Sequence, residues 1–168
     1  MLRLIPAPVH RLALRVANRA RIKLFRVFRP HLRSVSIIGL SLGERMLFIR
    51  LSYGSGGWTF PGGGVRRGEA PDAAARRELR EETGCGIADL QCFGVFEDRV
   101  IGTTSTHYLY TGTLLDMPEP DGREVVEARL FPLHSPPEPL GAKTARLLAM
   151  WRAQPQVRAR RAAPEAGS

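Results

Sequence analysis

Three carboxylates lie close together in the middle of the chain and offer the clearest chemistry in the sequence. Glu78, Glu81 and Glu82 are spaced three and four positions apart, so a helix would place all three on one face. Like charges at this spacing destabilise a helix by about 0.2–0.5 kcal/mol per pair. A hard divalent cation such as Mg²⁺ would offset that repulsion, because it takes carboxylates, waters and substrate phosphates as ligands. The alternative is a solvated helix face whose charge is cancelled by neighbouring arginines.

A run of glycines leads directly into this acidic segment. Gly62, Gly63 and Gly64 follow Pro61, and glycine allows backbone N–H and C=O groups to approach a ligand closely. The run therefore favours a ligand-binding site over a solvated face.

The acidic segment also carries the signals of one complete helix. Pro71 suits the first helical position, where the N–H that it lacks would have no partner. Asp72 beside it favours the positive end of the helix dipole. Gly84 predicts the end, since it adopts the left-handed cap conformation without steric cost. The sequence thus predicts a helix that begins at Pro71 and stops at Gly84.

The fixed positions of this stretch resemble the signature of the Nudix hydrolases. That signature is a Gly, five further residues, a Glu, seven further residues and then Arg-Glu-apolar-any-Glu-Glu-any-Gly-apolar. Every fixed position is matched here, by Gly63, Glu69, Arg77, Glu78, Leu79, Glu81, Glu82, Gly84 and Cys85. A branched aliphatic residue is commoner at the last position, where Cys85 can serve as a small buried hydrophobe. A motif with so many fixed positions is far more specific than a lone glycine fingerprint.

The resemblance implies an α/β fold, a Nudix-like α/β/α sandwich around a mixed β-sheet, with the signature helix on one side and a C-terminal helix on the other. It also implies Mg²⁺-dependent hydrolysis, with Mn²⁺ as an alternative cation, of the phosphoanhydride in a nucleoside diphosphate linked to another group. Carried over position by position, the metal ligands would be the carbonyl of Gly62 and the carboxylates of Glu78, Glu81 and Glu82. In the catalytic set, Glu78 would be a ligand or the general base and Arg77 would orient a carboxylate, with support from Glu69.

The chemistry expected of such a site follows from the charge on the substrate. A phosphoanhydride resists hydrolysis because its negative oxygens repel a nucleophile, and divalent cations offset that charge and lower the pKa of a bound water. A nearby carboxylate then accepts the water's proton. Some members of the family use a further Glu from a later loop, and Glu124 and Glu127 are the catalytic candidates here, with Glu97 as a weaker one. The alternative for each is a surface charge.

Four side chains are candidate substrate contacts, namely Arg50, Tyr53, Trp58 and His107. Aromatic rings can stack on a base, although strand aromatics more often belong to the core, and a strand histidine has many structural uses. The substrates suggested are a nucleoside triphosphate or a nucleotide sugar. Two alternatives are a regulator that binds a nucleotide without hydrolysing it and an enzyme that removes pyrophosphate from RNA 5′ ends. The complete set of signature carboxylates favours hydrolysis over regulation.

Positive charge is concentrated at the start of the chain. The net charge is +9, and the basic residues that precede the first acidic residue are Arg3, Arg11, Arg15, Arg19, Arg21, Lys23, Arg26, Arg29 and Arg33. Apolar residues at three- and four-residue spacing beside this stripe predict a helix from Val9 to Phe28. The helix would pack on the domain or on a second copy of the chain, lie on an anionic membrane surface, or contact RNA phosphates. An Arg-rich, acid-poor start is also typical of a cleaved transit peptide.

The chain as a whole divides into three regions. We expect a basic N-terminal extension at residues 1–30, a Nudix hydrolase domain at 31–153 and a disordered tail at 154–168. Hydrophobic residues make up 43% of the chain, which is enough for one core, and no apolar run is long enough to span a bilayer. Cys85 and Cys92 do not make a disulfide framework, so we expect two reduced core residues in a cytoplasmic protein.

Strands are predicted on both sides of the signature helix. β-branched and aromatic residues in runs bounded by turn signals predict strands at residues 34–40, 46–51, 58–60, 87–97, 106–115 and 125–131. Residues 99–105 are predicted to form a turn or loop, and residues 140–152 a terminal helix.

Overall fold

The computed structural model describes residues 32–41, 44–53, 56–100 and 103–155. The predicted N-terminal helix and most of the predicted tail lie outside the described residues. In chain order the elements are β1 (Leu32–Ser41), β2 (Arg45–Leu51), β3 (Trp58–Thr59), α1 (Pro71–Thr83), β4 (Ile87–Val100), β5 (Thr103–Leu114), β6 (Val125–Pro132) and α2 (Ala142–Arg152). Neither helix in these ranges is long and apolar enough to cross a bilayer.

The signature helix has the bounds that its capping signals predict. α1 begins at Pro71, and Gly84 takes a φ of 71° while its N–H donates to the carbonyl of Arg80 at 3.0 Å. The terminal helix α2 begins at Ala142, later than predicted, because Leu140 forms a parallel bridge with Trp58 instead.

The prediction of a loop over the whole of residues 99–105 is wrong. β4 and β5 extend into it as an antiparallel hairpin, in which Asp98 lies opposite Ser105 and Arg99 opposite Thr104. β-branched threonines favour this extended pairing.

The strands form one six-stranded mixed sheet. Its order is β3-β2-β1-β5-β4, and β6 pairs with β2. The parallel pair β1 and β5 stays in register from Leu32 opposite Ser105 to Leu40 opposite Thr113. β1 is therefore an interior strand, and its residues 35–39 are all buried although they point alternately to the two faces of the sheet.

One helix covers each face of the sheet. Val35 and Ile37 of β1 pack with Leu79 of α1 in one buried cluster. Ile38 points to the opposite face, since successive strand residues alternate, and it belongs to a second cluster with Leu148 of α2. The predicted α/β/α sandwich around a mixed sheet is confirmed.

The two cysteines have different surroundings. Cys85, just after α1, is fully buried, as predicted. Cys92 on β4 is exposed, so its prediction as a core residue is wrong. β4 lies at the edge of the sheet, where the neighbouring Phe93 packs against the second cluster in its place.

β1 and β2 are paired at one end only, by Leu40 with Met46 and Ser41 with Arg45. Farther along, β1 bonds instead with the segment at residues 61–70, which we call the signature loop. The N–H of Val35 donates to the carbonyl of Gly63 at 2.9 Å. The separation leaves a cleft of about 120 Å³, the β1–β2 cleft, lined by residues of β1, β2, β3, the signature loop and both helices.

Candidate active site

The signature loop follows β1 so closely that one of its residues must be glycine. Gly62 has a φ of 151°, a conformation that side chains rarely adopt, and a Cβ there would lie 2.2 Å from the carbonyl oxygen of Val35. The loop is fixed by hydrogen bonds on both sides of this point, from Ile37 N–H to the Pro61 carbonyl and from Val65 N–H to the Arg33 carbonyl, both 2.9 Å long. The contact holds the loop against the sheet.

The same loop receives two carboxylates of α1. The N–H of Gly62 donates to Oε2 of Glu82 at 2.9 Å. A Cβ on Gly63 would lie 2.5 Å from the carboxylate carbon of Glu78, so that carboxylate rests directly on the glycine backbone. The glycines are therefore required by the carboxylates as well as by β1.

Arg77 joins the acidic residues into one network. Its guanidinium binds Glu69 through two hydrogen bonds, of 2.8 and 3.0 Å, and it binds Glu78 at 2.7 Å and Glu81 at 3.1 Å. It also donates to the carbonyl of Gly64 at 3.0 Å. The bonds that Arg77 donates lower the pKa of Glu69 to about 2, and its bonding to Glu69 is the largest cause of a raised pKa at Arg77. Arg77 thus fixes Glu78 and Glu81 relative to the loop.

Glu82 is the most buried of the three signature carboxylates. Only 7% of its surface is exposed. Burial raises its pKa to about 9, and the charges of Glu78, Glu124 and Asp121 add to that rise. Burial also raises the pKa of Glu78. A buried carboxylate among other carboxylates is costly unless a positive charge accompanies it.

The donor set fits a hard divalent cation. Carboxylate oxygens beside a close-approaching glycine backbone are the ligands that Mg²⁺ and Mn²⁺ accept. In the part of the chain that the structure describes, no three acidic, histidine or cysteine side chains already converge as a ligand set. Arg77 binds two of the signature carboxylates, Glu78 and Glu81, and the side chain of Glu81 stays 52% exposed.

Glu124, one of the two predicted later glutamates, lies near this site. Its charge contributes to the raised pKa of both Glu78 and Glu82. The hydroxyl of Tyr53 donates to Oε1 of Glu124, and the carbonyl of Glu124 accepts the N–H of Ser52 at 2.8 Å. Tyr53, predicted as a substrate contact, therefore lies against a candidate catalytic residue.

Asp121 was missed by the sequence reasoning. Its carboxylate accepts the backbone N–H groups of Arg123 at 3.0 Å and Val125 at 2.8 Å, which turns the chain so that Glu124 faces Ser52. An Asp followed by Gly122 is a common turn signal, and that signal would have found it.

Glu127 and Arg50 bind each other rather than the signature carboxylates. They lie opposite each other on β6 and β2, and Arg50 Nη1 is 2.8 Å from Glu127 Oε1. The Arg50 guanidinium also lies 4.8 Å from the ring centre of Trp58. Trp58 is 4% exposed and packs edge-on against Phe131, as a core aromatic does. The residues that line the β1–β2 cleft do not include Arg50, Trp58 or Glu127.

His107 and Glu97 lie on the far strands of the sheet. His107 is 7% exposed, its ring stacks on Phe96, and its Nδ1 is 2.6 Å from the hydroxyl of Ser34. Burial lowers the pKa of His107 to about 4, with a further contribution from the charge of Lys143. Glu97 accepts the hydroxyl of Thr106 on β5 at 3.4 Å. His107 borders the cleft through Ser34, whereas Glu97 belongs to the β4–β5 pair.

Comparison with known proteins identifies the family to which the chain belongs. The NUDIX domain family matches residues 30–151. A protein named RNA pyrophosphohydrolase from Thioalkalivibrio sulfidiphilus is 45% identical over 71 residues, which cover 42% of this chain and 39% of that protein. The chain therefore matches well under half of the length of this curated relative.

Solved structures share the fold at low sequence identity. A MutT NUDIX hydrolase from Burkholderia pseudomallei has a TM-score of 0.64 and 22% identity, over 72% of this chain and 98% of that one. The NUDIX domain of Shewanella oneidensis NrtR, complexed with ADP ribose, has a TM-score of 0.62 and 18% identity, over 76% of this chain and 90% of that one. With the family match covering more than half of its length, the chain belongs to the NUDIX domain family.

Proposed function

We propose that this protein is a divalent-cation-dependent hydrolase that cleaves a phosphoanhydride bond in a nucleoside diphosphate linked to another group. The observation that carries the proposal is the arrangement of Glu82 and Glu78 on the backbone of Gly62 and Gly63. A buried carboxylate next to a half-buried one costs folding free energy unless a positive charge accompanies them, and the pair supplies the oxygen ligands that a divalent cation takes. Among the contacts described above, Arg77 is the one positively charged side chain that binds either carboxylate, and it binds Glu78.

The residues that would hold the cation are Glu82, Glu81 and Glu78 with the backbone of Gly62. When bound, Mg²⁺ supplies charge compensation for the phosphates and a more acidic water. The chain's own part is to hold these oxygens in place. Arg77 does so through its fork to Glu69, because two parallel bonds fix the guanidinium plane. Glu69 then acts on the site only through Arg77.

Glu124 is the candidate proton acceptor in this proposal. It lies close enough to Glu78 and Glu82 for their charges to interact, and the Tyr53 hydroxyl fixes the direction of its carboxylate. A general base needs that kind of orientation to face an attacking water. Glu78 is the alternative base, and its bond to Arg77 stabilises its charged, basic form.

The substrate class is a nucleotide, and the RNA 5′ end is a second candidate. The first is supported by the family and by the fold shared with a domain complexed with ADP ribose. The second is supported by relatives named RNA pyrophosphohydrolase, of which the chain matches less than half. The basic residues at the start of the chain would contact RNA phosphates.

Hydrolysis of a substrate panel tests the proposal. The panel contains nucleoside triphosphates, nucleotide sugars, ADP ribose and a 5′-triphosphorylated RNA, each with and without Mg²⁺ or Mn²⁺. The variant Glu82→Gln removes the charge and keeps the shape, and Glu119→Gln is its control because Glu119 is an exposed carboxylate beyond α1. We expect cation-dependent release that falls at least 100-fold in Glu82→Gln and stays unchanged in Glu119→Gln. Nucleotide binding without any release would favour the regulator.

Deletion of residues 1–30 distinguishes RNA binding, membrane binding and dimer formation as roles of the basic extension. A salt-dependent affinity for RNA that disappears on deletion favours the RNA 5′ end as substrate, whereas a lost affinity for anionic vesicles favours a membrane surface. A dimer that dissociates on deletion, seen by gel filtration, favours packing on a second copy of the chain.

The free thiols of Cys85 and Cys92 support a reducing compartment such as the cytoplasm.

A further inference from the structure

The β1–β2 cleft has opposite charges among its lining residues. Glu82 of α1 and Lys143 of α2 both line it, together with the hydroxyl residues Ser34 and Thr59. Among the described residues that line the cleft, Lys143 is the one cation. Lys143 keeps much of its surface exposed because the cleft is open, although surrounding protein atoms desolvate its ammonium and lower its pKa.

Lys143 takes part in a cluster with two residues of the sheet. Its Nζ lies 3.4 Å from Nδ1 of His107, and the hydroxyl of Ser34 lies 2.6 Å from the same nitrogen. An ammonium only donates, so this contact is made in the neutral form of the ring that carries its proton on Nε2, in which Nδ1 accepts. One ammonium hydrogen is engaged with the ring, which leaves others for a ligand in the cleft.

At the start of α2, the residues on either side of Lys143 are hydrogen-bonded to β3. The N–H of Gly141 donates to the carbonyl of Trp58 at 3.1 Å, and the hydroxyl of Thr144 donates to that of Thr59 at 3.1 Å. Thr144 is 2% exposed, so this bond is buried on the flank of Lys143. The residues on either side of Lys143 are therefore bound to β3, which fixes the point from which the lysine side chain extends toward the cleft.

We propose that Lys143, with the hydroxyl of Ser34 and the neutral ring of His107 positioning it, binds a phosphate group of a nucleotide substrate within the β1–β2 cleft. The inference rests on the proposed function and names a further contact of the same site. The ammonium of Lys143 is a charged donor for phosphate oxygens. The cleft's volume of about 120 Å³ is sufficient for a phosphate group. A bound anion also restores the favourable surroundings of the desolvated ammonium.

Calorimetric titration tests this contact without any turnover. The probes are the α,β-methylene analogue of ADP, which cannot be cleaved at that bridge, AMP and adenosine, all with Mg²⁺ present. The variant Lys143→Met removes the charge and keeps the length, and Lys143→Arg restores the charge. Arg146→Gln is the matched control, because it removes a positive charge from the same helix at a residue that pairs with Asp98 on the surface.

We expect Lys143→Met to bind the ADP analogue and AMP about ten- to hundredfold more weakly and to leave adenosine binding within twofold. Lys143→Arg should recover part of the loss, and Arg146→Gln should resemble the native protein. A melting temperature at or above that of the native protein in Lys143→Met would show that folding is intact.

Three results would overturn the proposal: no binding of the ADP analogue to the native protein, equal weakening of adenosine and the phosphorylated probes, or an unaltered Lys143→Met. Failure of the proposed hydrolysis can be told apart from failure of this proposal. In that case the substrate panel would show no cleavage, while the native protein would still bind the ADP analogue more tightly than Lys143→Met does.

Discussion

Replacement of each signature glycine by alanine should give three different outcomes at three consecutive positions. At Gly63 the new Cβ would lie 2.5 Å from the carboxylate carbon of Glu78, whereas at Gly64 it would meet no atom within 4 Å. At Gly62 it would lie 2.2 Å from the Val35 carbonyl oxygen in a conformation with φ at 151°. The same added methyl group therefore probes the carboxylate, open space and the strand backbone.

The expected magnitudes follow from what must move. In Gly63→Ala the Glu78 carboxylate must retreat by about 0.9 Å to reach an ordinary contact of 3.4 Å, which pulls it from Arg77. A displacement of about 1 Å in a catalytic group costs roughly 100-fold in rate. The free energy of unfolding should fall by less than about 1 kcal/mol, because a partly exposed ion pair contributes little. In Gly62→Ala the fixed backbone should cost at least about 2 kcal/mol of stability.

The assay combines kcat/KM for the best cleaved substrate with urea unfolding of the same three variants. We expect Gly63→Ala to lose activity and keep stability, Gly62→Ala to lose stability, and Gly64→Ala to keep both. Full activity in Gly63→Ala would show that the position of Glu78 does not matter for the reaction. Unfolding of Gly63→Ala as severe as that of Gly62→Ala would refute the claim that this glycine serves the carboxylate.

Three further changes test other contacts. Arg77→Lys keeps the charge but cannot make the forked bonds to Glu69, so activity should fall at least tenfold and stability by about 1–2 kcal/mol, as measured by turnover and urea unfolding. Tyr53→Phe removes one hydroxyl from Glu124, and the expected loss of about tenfold in kcat without loss of stability would be absent if Glu124 has no role. Since the pKa of His107 is lowered to about 4, the unfolded chain binds the proton more tightly. The contribution of His107 to stability should be full above about pH 6.5 and should be lost toward pH 4, by on the order of 2 kcal/mol, so urea titrations at both pH values should show a smaller decline in His107→Gln than in the native protein.

The sequence predicted those features that depend on residues close together in the chain, such as helix ends and the face on which a side chain lies. Pro71 and Gly84 bound the signature helix because helix ends depend on the residues at those ends. The spacing of Glu78 and Glu82 placed both on one helix face for the same reason. The motif shows that position 63 is a glycine but not why. The structure gives the reason, because a side chain at Gly63 would collide with the carboxylate of Glu78.

Contacts between distant segments were not predictable in the same way. The pair of Arg50 with Glu127 depends on the register of β2 with β6, which no short window of sequence specifies. The approach of Lys143 to His107 depends on where α2 crosses the sheet. Cys92 was expected in the core because free cysteines are usually buried, yet its place on an edge strand left it exposed.

The separation of β1 from β2 has a consequence for how charge is distributed between the two layers of the sandwich. Glu82 comes from the layer above the sheet and Lys143 from the layer below, and they line one cleft only because the strands between them part. The gap between these opposite charges is therefore set by the thickness of the sheet and the packing of two separate cores. A substitution in either core, far from any ligand, can widen or narrow that gap, so the spacing of the ligand's anchoring points is a property of the whole sandwich.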